Sequence, residues 1–393
     1  MGQSVSSWFF AEPRDVFDVM KYSEKMCSIV GINVYQFEGH PANRIVKLSV
    51  VKVINFIVLN VLLMVIAVIH HSIPYDMVNN GSIIVTYGIR TLLVGGVLAT
   101  SGEIVFLAWK WKSIVRLLQH IHELDLKLMK HPTDIAALRK YILTRCGMYL
   151  LLHLSLLTAY NVSTVLYIDD RMVASRMVFA QLYFNVVYIS IVIRFYCFVC
   201  ILSRRFEHLN DVLKLRFDTS NSERDGRWLN ETRYRNGPVQ ERIRVVQKLS
   251  DLHHQLNEIT DHMNGVFGDV FLGNMLVVML LCTFNIFALF KVYSSNDLRT
   301  RMFTVFNLSG SSYYTMMFML ISNLARTVSK EVSYPSKHTG VLIHKAMNNE
   351  TNSEIIRSLM VFSRQVRNRS AVVGSRQIVM DWPFIFQVRF NNR

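Results

Sequence analysis

The chain places aromatic, amide and hydroxyl side chains inside stretches that are otherwise almost wholly apolar, a combination suited to holding a small molecule rather than transforming it. Tyr87 and Arg90, Tyr160, Asn161 and Thr164, Gln181, Tyr183, Asn185 and Tyr188, Asn285 and Tyr293, and Asn307, Ser311 and Tyr313 are of this kind. A polar group in hydrocarbon costs free energy unless it meets a partner or a wet cavity, so such residues collect on interior faces. An aromatic ring covers the apolar side of a ligand while an amide fixes its hydroxyls. The same residues have plainer uses: Tyr near a membrane boundary anchors there, and Ser or Asn bonds between helices.

Catalytic and metal-binding patterns are missing. The sequence has no Gly-rich phosphate loop, no HExxH, no GxSxG and no paired carboxylates within its apolar runs, so neither an enzyme nor a cofactor is expected. Cys197 and Cys200 form a CxxC, but it stands alone on an apolar stretch, and the five cysteines give no disulfide framework. His253, His254 and His262 have no Cys partner and read as surface histidines. Four ionisable residues, Arg90, Glu103, Arg145 and Arg194, fall within apolar runs and each needs compensation. Glu103 and Arg145 sit near the inner ends of neighbouring runs, where a bridge between them is expected. Arg194 has no evident partner, and a gating role and a structural role both stay open.

The elements that position these groups are long apolar helices. Val53–His70, Ile83–Trp109, Tyr141–Ile168, Met177–Leu202, Gly265–Tyr293 and Met302–Leu324 are each about the ~20 residues that cross a bilayer core as helix. Hydrophobic residues make up 51% of the chain, mean hydropathy is +0.26 and charged residues are only 18%, below the ~25% of soluble domains. The chain therefore reads as an all-α polytopic membrane protein. Residues 1–45 form an N-terminal segment and 46–324 a six-helix domain with a long helical extension at 204–264. Residues 325–370 form a connection with anchor helices, and 371–393 a short last helix and tail.

Charge sets the orientation. A net charge of +15 and a pI near 9.7 would suggest nucleic acid in a soluble chain, but here the basic residues crowd into particular connections and match an anionic lipid surface. Seven lie in Lys110–Lys140 and eleven in Arg204–Asn264, against none in His71–Ser82. The positive-inside rule places those two connections and the N-terminus in the cytoplasm. Met1–Arg44 has no early apolar core, so no cleavable signal peptide is expected. The sequon at Asn80 then lies outside and is expected to be glycosylated, unlike Asn230 and Asn349. In the long inner connection, Val245, Leu249, Leu252, Leu256 and Ile259 recur at helical steps and extend the fifth span inward, while Asp218–Pro238 reads as a polar loop.

Two groups of residues carry a family resemblance. Leu249-Ser250-Asp251-Leu252-His253, Leu256, Asn264, Phe267-Gly268, Leu272, Phe284 and Tyr293 form one, and Phe362-Ser363-Arg364-Gln365 followed by Arg369, Gly374 and Asp381 the other. Together they resemble the insect gustatory receptors, over nearly the whole chain. The resemblance implies a seven-helix chemosensory receptor of the plasma membrane of chemosensory neurons. It would be a ligand-gated, non-selective cation channel subunit, tetrameric with itself or with other gustatory receptors. A small-molecule tastant would bind in the outer half of the helices, with the polar residues named above as candidates, and the final helix would line the pore with Gly374, Asp381, Phe384 and Gln387 at its entrance.

The chain departs from that family at its end. Ile378 to Val388 is about eleven residues, roughly 16 Å as helix, about half a bilayer core, so the seventh helix is expected to be incomplete and conduction by this chain alone impaired. Two other classes fit the sequence less well. A G-protein-coupled receptor needs its N-terminus outside, and the chain lacks Asn-Pro-x-x-Tyr near its end. A secondary transporter is expected to show two similar halves with interrupted spans, whereas none of the seven prolines lies in the six apolar runs.

Overall fold

The computed structural model describes residues 13, 15–38, 45–72, 83–128, 132–167, 170–217, 238–292, 308–310, 312–313, 315–317, 319 and 338–368. In chain order the elements are helix α1 (Val16–Ile29), strands β1 (Tyr35–Glu38) and β2 (Ile45–Leu48), and helices α2 (Val50–Ser72), α3 (Ile83–Trp109), α4 (Trp111–Leu128), α5 (Pro132–Tyr167), α6 (Arg171–Phe217), α7 (Val239–Val292) and α8 (Ser353–Asn368). Residues 338–349 and the described residues between 308 and 319 are also helical. Five of the six expected spans thus fall on α2, α3, α5, α6 and α7, and the sixth is helical where described.

Local chemistry explains several ends. The Asp15 carboxylate accepts from the Asp18 amide at 2.9 Å and starts α1. Asp170 Oδ1 caps α6 by accepting from the Met172 and Val173 amides, and Asn352 Oδ1 does the same for α8 at Glu354 and Ile355. Helix α1 ends where Gly31 takes φ +78°, a left-handed turn that only glycine makes cheaply, and Leu59 of α2 lies 2.9 Å from where its Cβ would stand.

Three described helices are long and apolar enough to cross a membrane: Val50–Ile69, Ile135–Leu166 and Arg171–Lys214. On α2 the exposed face is Val51, Ile54, Val58, Val61 and Val68, and on α5 it includes Leu151, Val162 and Leu166. A water-soluble helix turns its polar side outward. Here the outward side is aliphatic, which is stable only against lipid. Nearly all of the apolar part of α6 is buried, so it forms core rather than lipid face.

The chain forms two compact units. The first comprises Met1–Leu118, His131–Cys197 and Asp269–Asn323. Its centre is the buried run Val187–Cys197 of α6. Ser101 of α3 donates to Asn60 of α2 at 2.9 Å, and a two-stranded antiparallel hairpin pairs Tyr35 with Leu48 and Glu38 with Ile45. The hairpin was not among the expected elements of an all-α chain. It lies in the segment before the first span, where four-residue strands leave too little periodicity to read.

The second unit comprises Gln119–Lys130, Phe198–Gly268 and Leu324–Arg393. Here the two resembling motifs meet. Ile355, Leu359, Phe362 and Val366 repeat every three or four residues along α8 and are buried, each contributing about 1.5–3 kcal/mol by leaving water. Ser250 Oγ donates to Gln365 Oε1 at 2.6 Å and Gln365 Nε2 donates to the Ser250 carbonyl at 2.9 Å, a reciprocal pair that sets the register of α8 on α7. His253, expected at the surface, is fully buried between the rings of Phe206 and Phe362, 5.8 Å from each. The apolar positions of α7 recur at helical spacing, and His253, next to Leu252, falls on that stripe rather than beside it. His254 stays half-exposed and pairs with Glu258 at 3.3 Å, and His262 faces His120 with ring centres 6.1 Å apart. The unit is further tied by Arg205 to Asp125, Arg242 to Glu350 and Thr339 to Asn210.

Candidate functional site

In the first unit, one buried polar cluster is built from α5, α6 and the helical residues 312–313 and 315–317. On α5 the spacing His153, Leu157, Tyr160, Asn161, Thr164 places all five on one face, and all five are buried. On α6, Gln181, Asn185 and Tyr188 do the same. Tyr313 brings the two faces together. Its ring stacks on Tyr160 at 5.7 Å and 14°, and its hydroxyl donates to Asn185 Oδ1 at 2.7 Å. Gln181 Nε2 donates to the Tyr160 hydroxyl at 3.3 Å, and Asn185 Nδ2 donates to the Gln181 carbonyl at 2.7 Å. His153 lies 5.9 Å from the Tyr313 ring and its Nδ1 is 3.1 Å from Met317 Sδ. Thr164 returns its hydroxyl to the Tyr160 carbonyl at 3.0 Å.

The described residues of the cluster include no Asp, Glu, Lys or Arg, so it suits a neutral molecule. Its polar groups are incompletely used: among the described residues, the buried Asn161 Oδ1, Gln181 Oε1 and Tyr188 hydroxyl meet no hydrogen-bond partner. A buried polar atom left without a partner costs about 1–3 kcal/mol, which a guest or water carrying hydroxyl groups relieves.

The sequence-derived candidates divide accordingly. Tyr160, Gln181, Asn185 and Tyr313 converge, with Asn161, Thr164 and Tyr188 buried on the same helix faces. Tyr183 instead directs its hydroxyl to the Val30 carbonyl at 3.5 Å, and Tyr87 is 61% exposed with the Arg90 guanidinium 5.9 Å from its ring centre. The side chain of Asn285, and Tyr293, Asn307, Ser311, Asn80, Gly374, Asp381, Phe384 and Gln387, lie outside the described residues. His153 and Met317 were not singled out from sequence. His153 stands two helical turns before Tyr160, and that seven-residue step was the available signal.

The expected bridge between Glu103 and Arg145 is replaced by separate neighbours. Glu103 Oε1 lies 4.0 Å from the Cβ position of Gly273 on α7, while Arg145 is exposed with its guanidinium 5.6 Å from the Tyr141 ring centre. Cys197 of the CxxC has its sulfur 3.9 Å from that of Cys146 on α5.

A mostly helical chain whose outer faces are aliphatic belongs to the class of multi-pass membrane proteins. The family model for 7tm chemosensory receptors matches residues 25–373, and the chain belongs to that family. Its fold is similar to the structure of the insect olfactory receptor OR5 from Machilis hrabei, alone and in complex with eugenol. Each of the two superposes with a TM-score of 0.62 at 12% identity, covering 94% of this chain and 95% of the other. No curated protein sequence matches the chain.

Proposed function

We propose that the chain is a gustatory receptor: a subunit of a ligand-gated, non-selective cation channel in the plasma membrane of chemosensory neurons, with its N-terminus in the cytoplasm. It assembles as a tetramer with itself or with related subunits, is surrounded by lipid, and detects a small neutral molecule held by Tyr160, Gln181, Asn185, Tyr313 and His153. The observation that carries this reading is the buried cluster whose described residues bear no formal charge, in which stacked tyrosines sit beside amide oxygens that meet no donor among the described residues. An aromatic alcohol meets both demands, its ring against Tyr160 or Tyr313 and its hydroxyl donating to Gln181 Oε1 or Asn161 Oδ1. Eugenol, bound in the OR5 structure, has that chemistry and is a rational first probe. Tyr87, Arg90, Thr164, Tyr183, Tyr188, Asn285, Tyr293, Asn307 and Ser311 are outer candidates, and Gly374, Asp381, Phe384 and Gln387 belong to the pore entrance.

The test is whole-cell recording from cells expressing the chain with and without a related subunit, against phenols, aromatic alcohols and sugars. Gln181→Leu removes both an acceptor and a donor without opening a large void. It is expected to raise the half-maximal concentration of the best agonist at least tenfold at unchanged surface density, as measured by biotinylation. Agonism confined to charged compounds, or an unshifted response in Gln181→Leu, defeats the proposal.

A further inference from the structure

Arg194, the cation for which the sequence offers no partner, is fully buried on α6, and its partners come from the segment ahead of the first span. Its Nη2 donates to Glu24 Oε1 at 2.7 Å and to the Tyr35 hydroxyl. The other carboxylate oxygen of Glu24 accepts from the Tyr35 hydroxyl at 2.8 Å and from the Asn33 side-chain amide, which also donates to the Glu24 carbonyl at 2.9 Å. Glu24, Asn33 and Tyr35 are themselves buried. One turn along α1 from Glu24, Cys27 Sγ lies 3.7 Å from the carbonyl of Ser190, one turn before Arg194 on α6. Trp111 stacks on Tyr35 at 6.2 Å, and the Arg139 guanidinium donates to Tyr22 of α1 at 2.7 Å.

A buried ion pair of this kind has two states rather than a continuum. Separating Glu24 from Arg194 inside the fold strands a charge on each side, so the segment either sits home or comes away far enough for water to reach both. The same α6 helix carries Asn185 nine residues and Gln181 thirteen residues before Arg194, about 14 and 20 Å along its axis. A shift or rotation of α6 is therefore felt at both ends.

We propose that α1 and β1 form a latch on α6, closed by Glu24, Tyr35 and Arg194, and that closing it positions α6 and so regulates the cluster of Gln181, Asn185 and Tyr313. Glu24 and Arg194 act as positioning residues, since neither lies in the cluster. The regulated site rests on the ligand reading given above, but the test needs no ligand, so the two can fail separately.

Cys27 reports the latch directly. It is fully buried under α6, and burial pushes its thiol up to about 12, so the closed form withholds both access and thiolate. The full-length protein in membranes is treated with N-ethylmaleimide, and alkylation of the Cys27 peptide is followed over time by mass spectrometry. Glu24→Gln is expected to accelerate alkylation at least tenfold, and Tyr35→Phe, which keeps the ring against Trp111 and removes one hydroxyl, about threefold or more. Glu24→Gln with Arg194→Met leaves no charge stranded and is expected to return the rate to within about threefold of the parent. Unchanged rates in both Glu24→Gln and Tyr35→Phe overturn the latch, and a double variant as reactive as Glu24→Gln overturns the ion pair as its closure. Should Glu24→Gln fail to reach membranes, Tyr35→Phe decides alone. Regulation is read from Asn185→Leu, which perturbs only the cluster end of α6 and is expected to change Cys27 alkylation at least threefold, while the outward-facing Phe179→Leu leaves it unchanged. A Cys27 rate indifferent to Asn185→Leu overturns the coupling.

Discussion

Asp125→Asn is expected to destabilise the detergent-solubilised protein by about 3–5 kcal/mol, seen as a clear fall in the thermal midpoint, although the substitution changes hardly any volume. Arg205 of α6 is fully buried and its Nη2 donates to Asp125 Oδ2 at 2.5 Å. Among the described residues, its Nε and Nη1 and the second Asp125 oxygen meet no hydrogen-bond partner. Among the described residues, this contact carries the neutralisation of a charge buried within the second unit. With Asn at 125 the guanidinium is left uncompensated, and a group that never deprotonates has no escape other than local opening. Asp125→Asn combined with Arg205→Met is expected to recover most of the loss, because it removes the stranded charge together with its partner. A double variant no more stable than Asp125→Asn alone would show that the pair acts through packing and not through charge.

The second large effect is a loss of stability in acid that traces to one histidine. His253 is fully buried, and burial, with the neighbouring His254 adding to it, brings its imidazole down from 6.5 to about 4. Asn257 Nδ2 faces its Nδ1 at 3.2 Å, an arrangement that needs the ring neutral. Above pH 6.5 the ring is neutral in both the folded and the unfolded chain and adds no pH dependence. As pH falls from about 6.5 towards 4, the unfolded chain takes up a proton that the folded chain refuses, so folding loses free energy throughout that window. The full loss is about 3 kcal/mol at about 1.4 kcal/mol per unit. Other groups titrate below pH 5, so the relevant measurement is the difference between parent and His253→Leu in thermal midpoint from pH 7.5 to pH 4.5. The gap in favour of the parent at pH 7.5 is expected to narrow as the pH is lowered. A gap independent of pH would mean that His253 is protonated, or solvated, in the folded state.

These two residues illustrate how unevenly the molecule can be read from its sequence. The five long helices α2, α3, α5, α6 and α7 were legible because hydropathy summed over about 20 residues is a local quantity that depends on no partner. The meeting of Ser250 with Gln365 was legible only as two motifs shared with a family, not as a contact. His253 was misplaced at the surface because a histidine beside a leucine on a helical stripe looks alike whether the adjoining face is wet or covered, and only Phe206 and Phe362 decide that. At the candidate site, Tyr160, Gln181, Asn185 and Tyr313 were singled out by the cost of polar groups in hydrocarbon. Tyr87 met the same criterion and turned outward, since composition cannot say which way a helix faces.

The sequence by itself determined the solvent of the chain and the places of the five long apolar helices described, because those follow from residue types counted along the backbone. Tertiary structure alone decided which buried charges are compensated and by whom. Arg194 finds Glu24 from a segment ahead of the first span, Arg205 finds Asp125, and Tyr160 stacks on Tyr313. Each of those pairings depends on the rotation and axial register of one helix against another. That geometry is set by side-chain packing across the interface and has no counterpart in the periodicity of either helix alone.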